Sequence, residues 1–274
     1  MESRSLVLFA LLAAATVAPG ARAEGLASHS VVYDVKADPS EKEVYVEAQA
    51  SYTLTKRCDG WNLGEVFQFG IDKGPAAAGQ KALTPKAERV EERVTAQESL
   101  DGSTLTYQTQ LRQNARLTKA TGKATLGAEP GKLFADLGSY KQESDLPAGT
   151  LAPAAARAAL LAALSANKPG VIEMRTVELL RFHKPIIQKF AQFPPEDPAI
   201  ARTLPKDLHA SDKDFAKGRT FAVRRRVGDF NEFGDEFWLM HESGALVRQT
   251  IQRQGVKLLL EAREITLFPA PSCP

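Results

Sequence analysis

Apolar and polar side chains alternate along most of this chain. In residues 44–54 the even positions Val44, Val46, Ala48, Ala50, Tyr52 and Leu54 are apolar, Glu47, Gln49, Ser51 and Thr53 are polar, and only Tyr45 is out of phase. Successive side chains of a strand point to opposite faces, so a period of two marks a strand with one buried face. The same rhythm recurs at residues 30–36, 62–71, 89–97, 104–112, 115–126, 220–227, 236–241, 245–252 and 256–268. Turn signals such as Asp38-Pro39-Ser40, Asp59-Gly60, Asp101-Gly102, Ser243-Gly244 and Gln254-Gly255 separate these stretches. About ten strands joined by tight turns make a meandering antiparallel sheet, and a sheet of that length curls or closes to remove its edges. The expected fold is mainly β, a barrel-like or spiral sheet.

Two stretches depart from the rhythm. Residues 153–167 are Ala-rich, with Leu160, Leu161 and Leu164 on one side, Pro153 in the first turn and Lys168-Pro169-Gly170 as the stop, which predicts a helix laid against the sheet. Residues 177–192 carry Leu179, Leu180, Ile186, Ile187 and Phe190 around Pro185, and read equally as a broken helix or two short strands. Residues 193–218 hold Pro194, Pro195, Pro198 and Pro205 and read as a long loop that is mobile or rims a binding site. With no repeat and no linker, the expected organisation is a leader at 1–23 and one domain at 24–274.

Arg4 precedes an apolar run over residues 6–17, followed by Pro19-Gly20 and Ala21-Arg22-Ala23, which reads as a secretory signal cleaved after Ala23. The run is shorter than the ~20 residues a membrane-spanning helix needs. The first cysteine is Cys58, so a lipoprotein signal is not indicated, and the lack of any Asn-x-Ser/Thr sequon favours a bacterial periplasm. The 35 Lys and Arg nearly balance the 33 Asp and Glu, which leaves no footprint for nucleic acid. With 43% hydrophobic residues the chain has material for a core. In an oxidising compartment two cysteines default to one disulfide, Cys58 to Cys273, the alternative being two buried thiols. His29, His183, His209 and His241 lack the spacing of a zinc site.

Catalytic signals are weak. There is no G-x-S-x-G elbow and no phosphate loop, and Ser243-Gly244 reads as a hairpin turn. His241 beside it reads as a base or, more simply, as a packed residue. Glu91-Glu92 and Asp235-Glu236 read as solvated strand faces. Arg225 shares the apolar face of Phe221, Val223 and Val227, where a guanidinium must meet a carboxylate, snorkel to the rim or contact an anionic ligand such as a lipid headgroup.

The motif Cys58-Asp59-Gly60-Trp61, with Tyr52-Thr53-Leu54 before it, Val32-Tyr33-Asp34 near the start of the domain and Cys273 near its end, resembles the periplasmic envelope-integrity family EipB. Leu100-Asp101-Gly102 and Leu146-Pro147-Ala148-Gly149-Thr150 fall in the matching order, so the resemblance spans nearly the whole domain. It implies a spiral β-barrel, a half-barrel like those of lipoprotein carriers, with one or two helices packed on it and closed by a Cys58–Cys273 disulfide. It further implies a non-enzymatic role in Gram-negative envelope integrity under stress, through a periplasmic partner of the tetratricopeptide-repeat kind, with no catalytic residue, cofactor or metal. Two readings compete with it: a lipid or lipoprotein carrier, which fails if Phe67, Phe69, Tyr107 and Trp238 fill the interior, and an exported hydrolase.

Overall fold

The computed structural model describes residues 25–273 apart from 168–169, 181–182, 195–202 and 229–234, so the expected leader lies outside the described residues. Two antiparallel meanders build one sheet. The first runs β1 (Ser28–Ala37), β2 (Val44–Lys56), β3 (Gly60–Lys73), β4 (Glu88–Ser99), β5 (Thr104–Gln113), β6 (Arg116–Thr125), β7 (Gly131–Asp136) and β8 (Lys141–Leu146). The second runs β9 (Val171–Glu178), β10 (Lys184–Gln192), the two-residue β11 (His209–Ala210), β12 (Thr220–Val227), β13 (Asp235–His241), β14 (Leu246–Arg253) and β15 (Val256–Phe268). Each of the ten alternating stretches lies on a strand.

The meanders join where the first strand meets the last: β1 pairs β15 from Ser28↔Phe268 to Ala37↔Leu258, with a bulge at Val32/Tyr33. This puts β1 and β15 in the middle of the sheet and leaves β8 and β9 as its two edges. The edges approach one another without forming a ladder. Leu151, just past β8, makes a parallel bridge to Thr176 and donates its N–H to the Arg175 carbonyl at 2.8 Å. Gln142 and Ser144 of β8 donate to the His183 carbonyl before β10, at 3.1 and 3.4 Å. The result is the expected spiral, a curled antiparallel sheet that is not closed by hydrogen-bonded strands.

Helix α1 (Pro153–Ser165) links the two meanders and buries Leu160, Leu161, Leu164 and five alanines. It shares a core with Val31, Tyr52, Leu54, Trp61, Met240 and Leu246, and so packs into the concave side of the curl. Its N-cap residue is Ala152, which has no capping side chain. A carboxylate from the sheet replaces it: the Ala154 and Ala155 N–H groups donate to Glu98 of β4 at 2.8 and 2.9 Å.

The described part of residues 177–192 carries strand at 177–178 and 184–192 and no helix. It holds the end of β9 and all of β10, paired from Lys184↔Glu178 to Ala191↔Val171. Pro185 is tolerated because the β12 ladder begins only at Gln188, so its missing N–H costs no bond on that side. The expected long loop is tied down in two places, by β11 in parallel with β15 and by Phe215, buried against the His241 ring. β7 and β8 carry weaker alternation than the rest; Lys141-Gln142-Glu143-Ser144-Asp145 presents polar groups on both faces, as suits an edge strand.

Candidate functional site

The concave side of the curl holds a cavity of about 290 Å³ between α1 and the sheet. Its walls are apolar at Leu160, Met174, Phe190, Trp238, Ile251 and Leu260, and polar at Glu65, Arg157, Gln188, Arg225, Glu236, Gln249 and Arg253. The polar groups come from faces that are otherwise apolar. Glu65 on β3 alternates in phase with Trp61, Leu63, Phe67 and Phe69, and Arg157 lies three, four and seven residues before Leu160, Leu161 and Leu164 on α1.

Charges taken from water must be paired or they cost several kcal/mol each. Arg225 is paired. It lies opposite Glu236 across β12 and β13, donates to the Glu236 carboxylate, and donates through Nε to Gln188 Oε1 at 2.7 Å. Its guanidinium also stacks on Trp238, 4.9 Å from the ring centroid. Gln188 in turn donates to Thr176 Oγ1 at 2.6 Å, and Trp238 Nε1 donates to Glu236 at 3.3 Å, so one network crosses β9, β10, β12 and β13. Of the sequence readings for Arg225, the internal ion pair is the one the structure presents. Arg253 is held by Glu92 at 3.2 Å above the Phe67 ring.

Arg157 and Glu65 differ from these pairs. Arg157 stacks over Tyr52 at 4.3 Å and donates to the Gly244 carbonyl at 3.3 Å, with no carboxylate partner among the described residues. Glu65 lines the cavity as an exposed side chain, with neither a hydrogen bond nor an ion pair among the described residues. Although the side chain is exposed to the cavity, the protein crowded around it raises its pKa above the ordinary value, against the pull of Arg253, Arg157 and Arg225 and with the help of Glu92.

The motif residues lie elsewhere. Cys58 and Asp59 form the tip of the β2–β3 hairpin, closed by the Arg57 N–H donating to the Gly60 carbonyl at 2.7 Å. Gly60 is required there because a Cβ would lie 2.0 Å from the Glu98 carbonyl oxygen on β4. Trp61 points into the core, 2% exposed, while Asp59 faces solvent near Arg57 at 3.9 Å. Cys58 is bonded to Cys273 with Cα atoms 5.4 Å apart. Residues 269–273 therefore cross from the end of β15, past β1, to the β2–β3 tip. This corrects one implication of the resemblance: the disulfide does not close the barrel, because it clamps the middle of the sheet and the open edges lie at β8 and β9. None of the four motif residues lines the cavity.

Both ring nitrogens of His241 are engaged, Nδ1 with Ser243 Oγ at 2.9 Å and Nε2 with the Phe215 carbonyl at 3.0 Å, and burial lowers its pKa. Ser243 is itself buried in the turn. The described residues contain no His, Cys, Asp and Glu grouping suited to a metal, and no helix among them is long and apolar enough to cross a membrane. Phe67 and Phe69 stack within the core, Tyr107 packs beside the β8–β9 edge, and Trp238 forms cavity wall.

A family model described as EipB-like matches residues 20–169. Among solved structures, the crystal structure of a β-barrel-like protein of a domain of unknown function from Brucella abortus is similar, with a TM-score of 0.72 at 13% identity. The match covers 89% of this chain and 99% of that one, and at such identity it is a likeness of fold. No curated protein matches the chain.

Proposed function

The chain belongs to the EipB-like family, and from that premise we propose that it is a non-catalytic exported protein that maintains Gram-negative envelope integrity by binding a periplasmic partner of the tetratricopeptide-repeat type. The leader read at residues 1–23 supports export to the periplasm. The observation that carries the non-catalytic reading is the state of the interior: α1 packs into the curl beside the cavity, Arg225 and Arg253 are matched to Glu236 and Glu92, and His241 has both ring nitrogens occupied. Such groups hold a shape and are poorly placed to exchange protons with a substrate.

Deletion of the gene tests this reading. Increased sensitivity to detergents and cell-wall inhibitors, restored by the exported protein, is the expected result, together with recovery of a repeat-protein partner by periplasmic cross-linking. Unchanged sensitivity in the deletion strain would overturn it. A second reading, a carrier of lipid or lipoprotein, is favoured by the apolar walls of the cavity and limited by its size, since ~290 Å³ lies at the low end of the roughly 300–1,000 Å³ typical of ligand pockets.

A further inference from the structure

We propose that the interior cavity binds a single-chain amphiphile with one carboxylate head, the head between Arg157 and Glu65 and the chain along Leu160, Met174, Phe190 and Trp238. The inference deepens the carrier reading and is independent of the envelope reading.

Three observations lead to it. The first is charge matching: of the cavity arginines, Arg225 and Arg253 have carboxylate partners, whereas Arg157 has only a carbonyl and the face of Tyr52. A guanidinium in that state retains N–H donors in the fork geometry that a carboxylate accepts. The second is Glu65, an exposed carboxyl on the cavity wall with no partner among the described residues. In its protonated form it donates one O–H to a neighbouring carboxylate, and in its ionised form it repels one. The third is volume. At about 290 Å³ the cavity lies at the low end of the roughly 300–1,000 Å³ of ligand pockets, which suits a short or medium acyl chain.

The proton on Glu65 gives the site a pH signature. The groups around it are Arg157 on α1, Arg225 on β12, Arg253 on β14, Glu92 on β4, Glu236 on β13, and Tyr33 and Tyr52 on β1 and β2, whose hydroxyls burial keeps neutral. Glu92 and Glu236 have arginine partners and Glu65 has none, so affinity for a carboxylate falls as rising pH ionises Glu65.

The test is titration of the purified protein with sodium decanoate, read by calorimetry and tryptophan fluorescence over a series of rising pH values at which decanoate is ionised, with 1-decanol as the uncharged probe. Expected are saturable 1:1 binding of decanoate, at least tenfold weaker binding of 1-decanol, and decanoate binding that weakens as pH rises. Arg157→Gln, confirmed folded by circular dichroism, loses at least tenfold in affinity, and Glu65→Gln binds decanoate with little pH dependence. If Arg157→Gln fails to fold, the wild-type contrast between decanoate and 1-decanol decides the question. The proposal is overturned by absence of saturable decanoate binding, by equal binding of 1-decanol, or by unchanged affinity in folded Arg157→Gln. Each of those results leaves the deletion phenotype to be judged separately.

Discussion

The middle of the sheet and its seam are held by different forces. At the middle, β15, β1, β2 and β3 are joined by long ladders, interrupted by the Val32/Tyr33 bulge, the longest running from Val44↔Lys73 to Lys56↔Trp61, and Cys58–Cys273 adds a covalent bond across the same strands. At the seam, β8 and β9 share no ladder. They are joined by the Leu151 bridge, the bonds from Gln142 and Ser144 to the His183 carbonyl, and the Tyr107 hydroxyl meeting His183 Nδ1 at 3.1 Å. His183 holds this position with φ of 47°, a left-handed conformation uncommon for a residue with a side chain. A ladder distributes stability over many residues, whereas a few side-chain bonds make a region that opens locally. The difference places rigidity at the meeting of the two chain ends and compliance where the curl opens.

Reducing the disulfide is expected to have the largest effect, with a ceiling of about 5 kcal/mol from the entropy of a loop this long. Chemical denaturation with and without reductant measures it. Because β15 is flanked by β1 and β14, hydrogen exchange should find residues 269–273 released while β15 amides remain protected. Loss of protection along β15 itself would show that the bond, and not the ladder, secures the middle.

Next is Leu160→Ala on α1, a fully buried side chain, expected to cost about 2–5 kcal/mol through lost burial and a cavity. Since α1 packs against both meanders, the loss should appear in global unfolding. A purely local increase in exchange at the seam would contradict this.

Glu98 supplies a third comparison. Burial raises its pKa to about 7 from 4.5, outweighing the two N–H bonds from α1. Between these values the folded form holds a proton that the unfolded form has released, so stability falls as pH rises through this window, by about 3 kcal/mol at ~1.36 kcal/mol per unit. His29 acts in the opposite sense, because burial lowers its pKa to about 4 and the unfolded form takes up the extra proton below 6.5. Melting temperatures of wild type and Glu98→Gln across pH 4.5–7.5 separate the two. The gap between them should change steadily with pH, and parallel curves would remove Glu98 from the account.

The smallest effect is expected from His183→Ala, about 1 kcal/mol for a hydrogen bond that is not replaced. Exchange should quicken at β8 and the β9–β10 turn and leave β1 and β15 unchanged. An equal rise at both places would erase the distinction between middle and seam.

Ten of the strands, β1–β6 and β12–β15, were legible because burial of one face imposes a period of two, and α1 was legible from Pro153 and its leucine stripe. β8 was not, because an edge strand gains by being polar on both faces. The cavity charges had a readable signal that alternation alone does not interpret: Glu65, Arg157 and Arg253 each interrupt an apolar face, as Arg225 does, yet a one-dimensional pattern cannot say which charge answers which. Likewise Ala152 offers no cap for α1, and nothing near it in the chain points to Glu98.

Sequence by itself determined the curled sheet, its inner helix, the two cysteines available for bonding and the family to which the chain belongs, since these follow from periodicity, turn chemistry and a short motif. Tertiary structure decided that the covalent clamp sits in the centre of the sheet and that Arg157, with no carboxylate partner among the described residues, and Glu65, with no hydrogen bond or ion pair among them, line the same cavity. The physical reason is distance: alternation and turns act between neighbours along the chain, whereas charge pairing and closure depend on strands brought together from opposite ends of it.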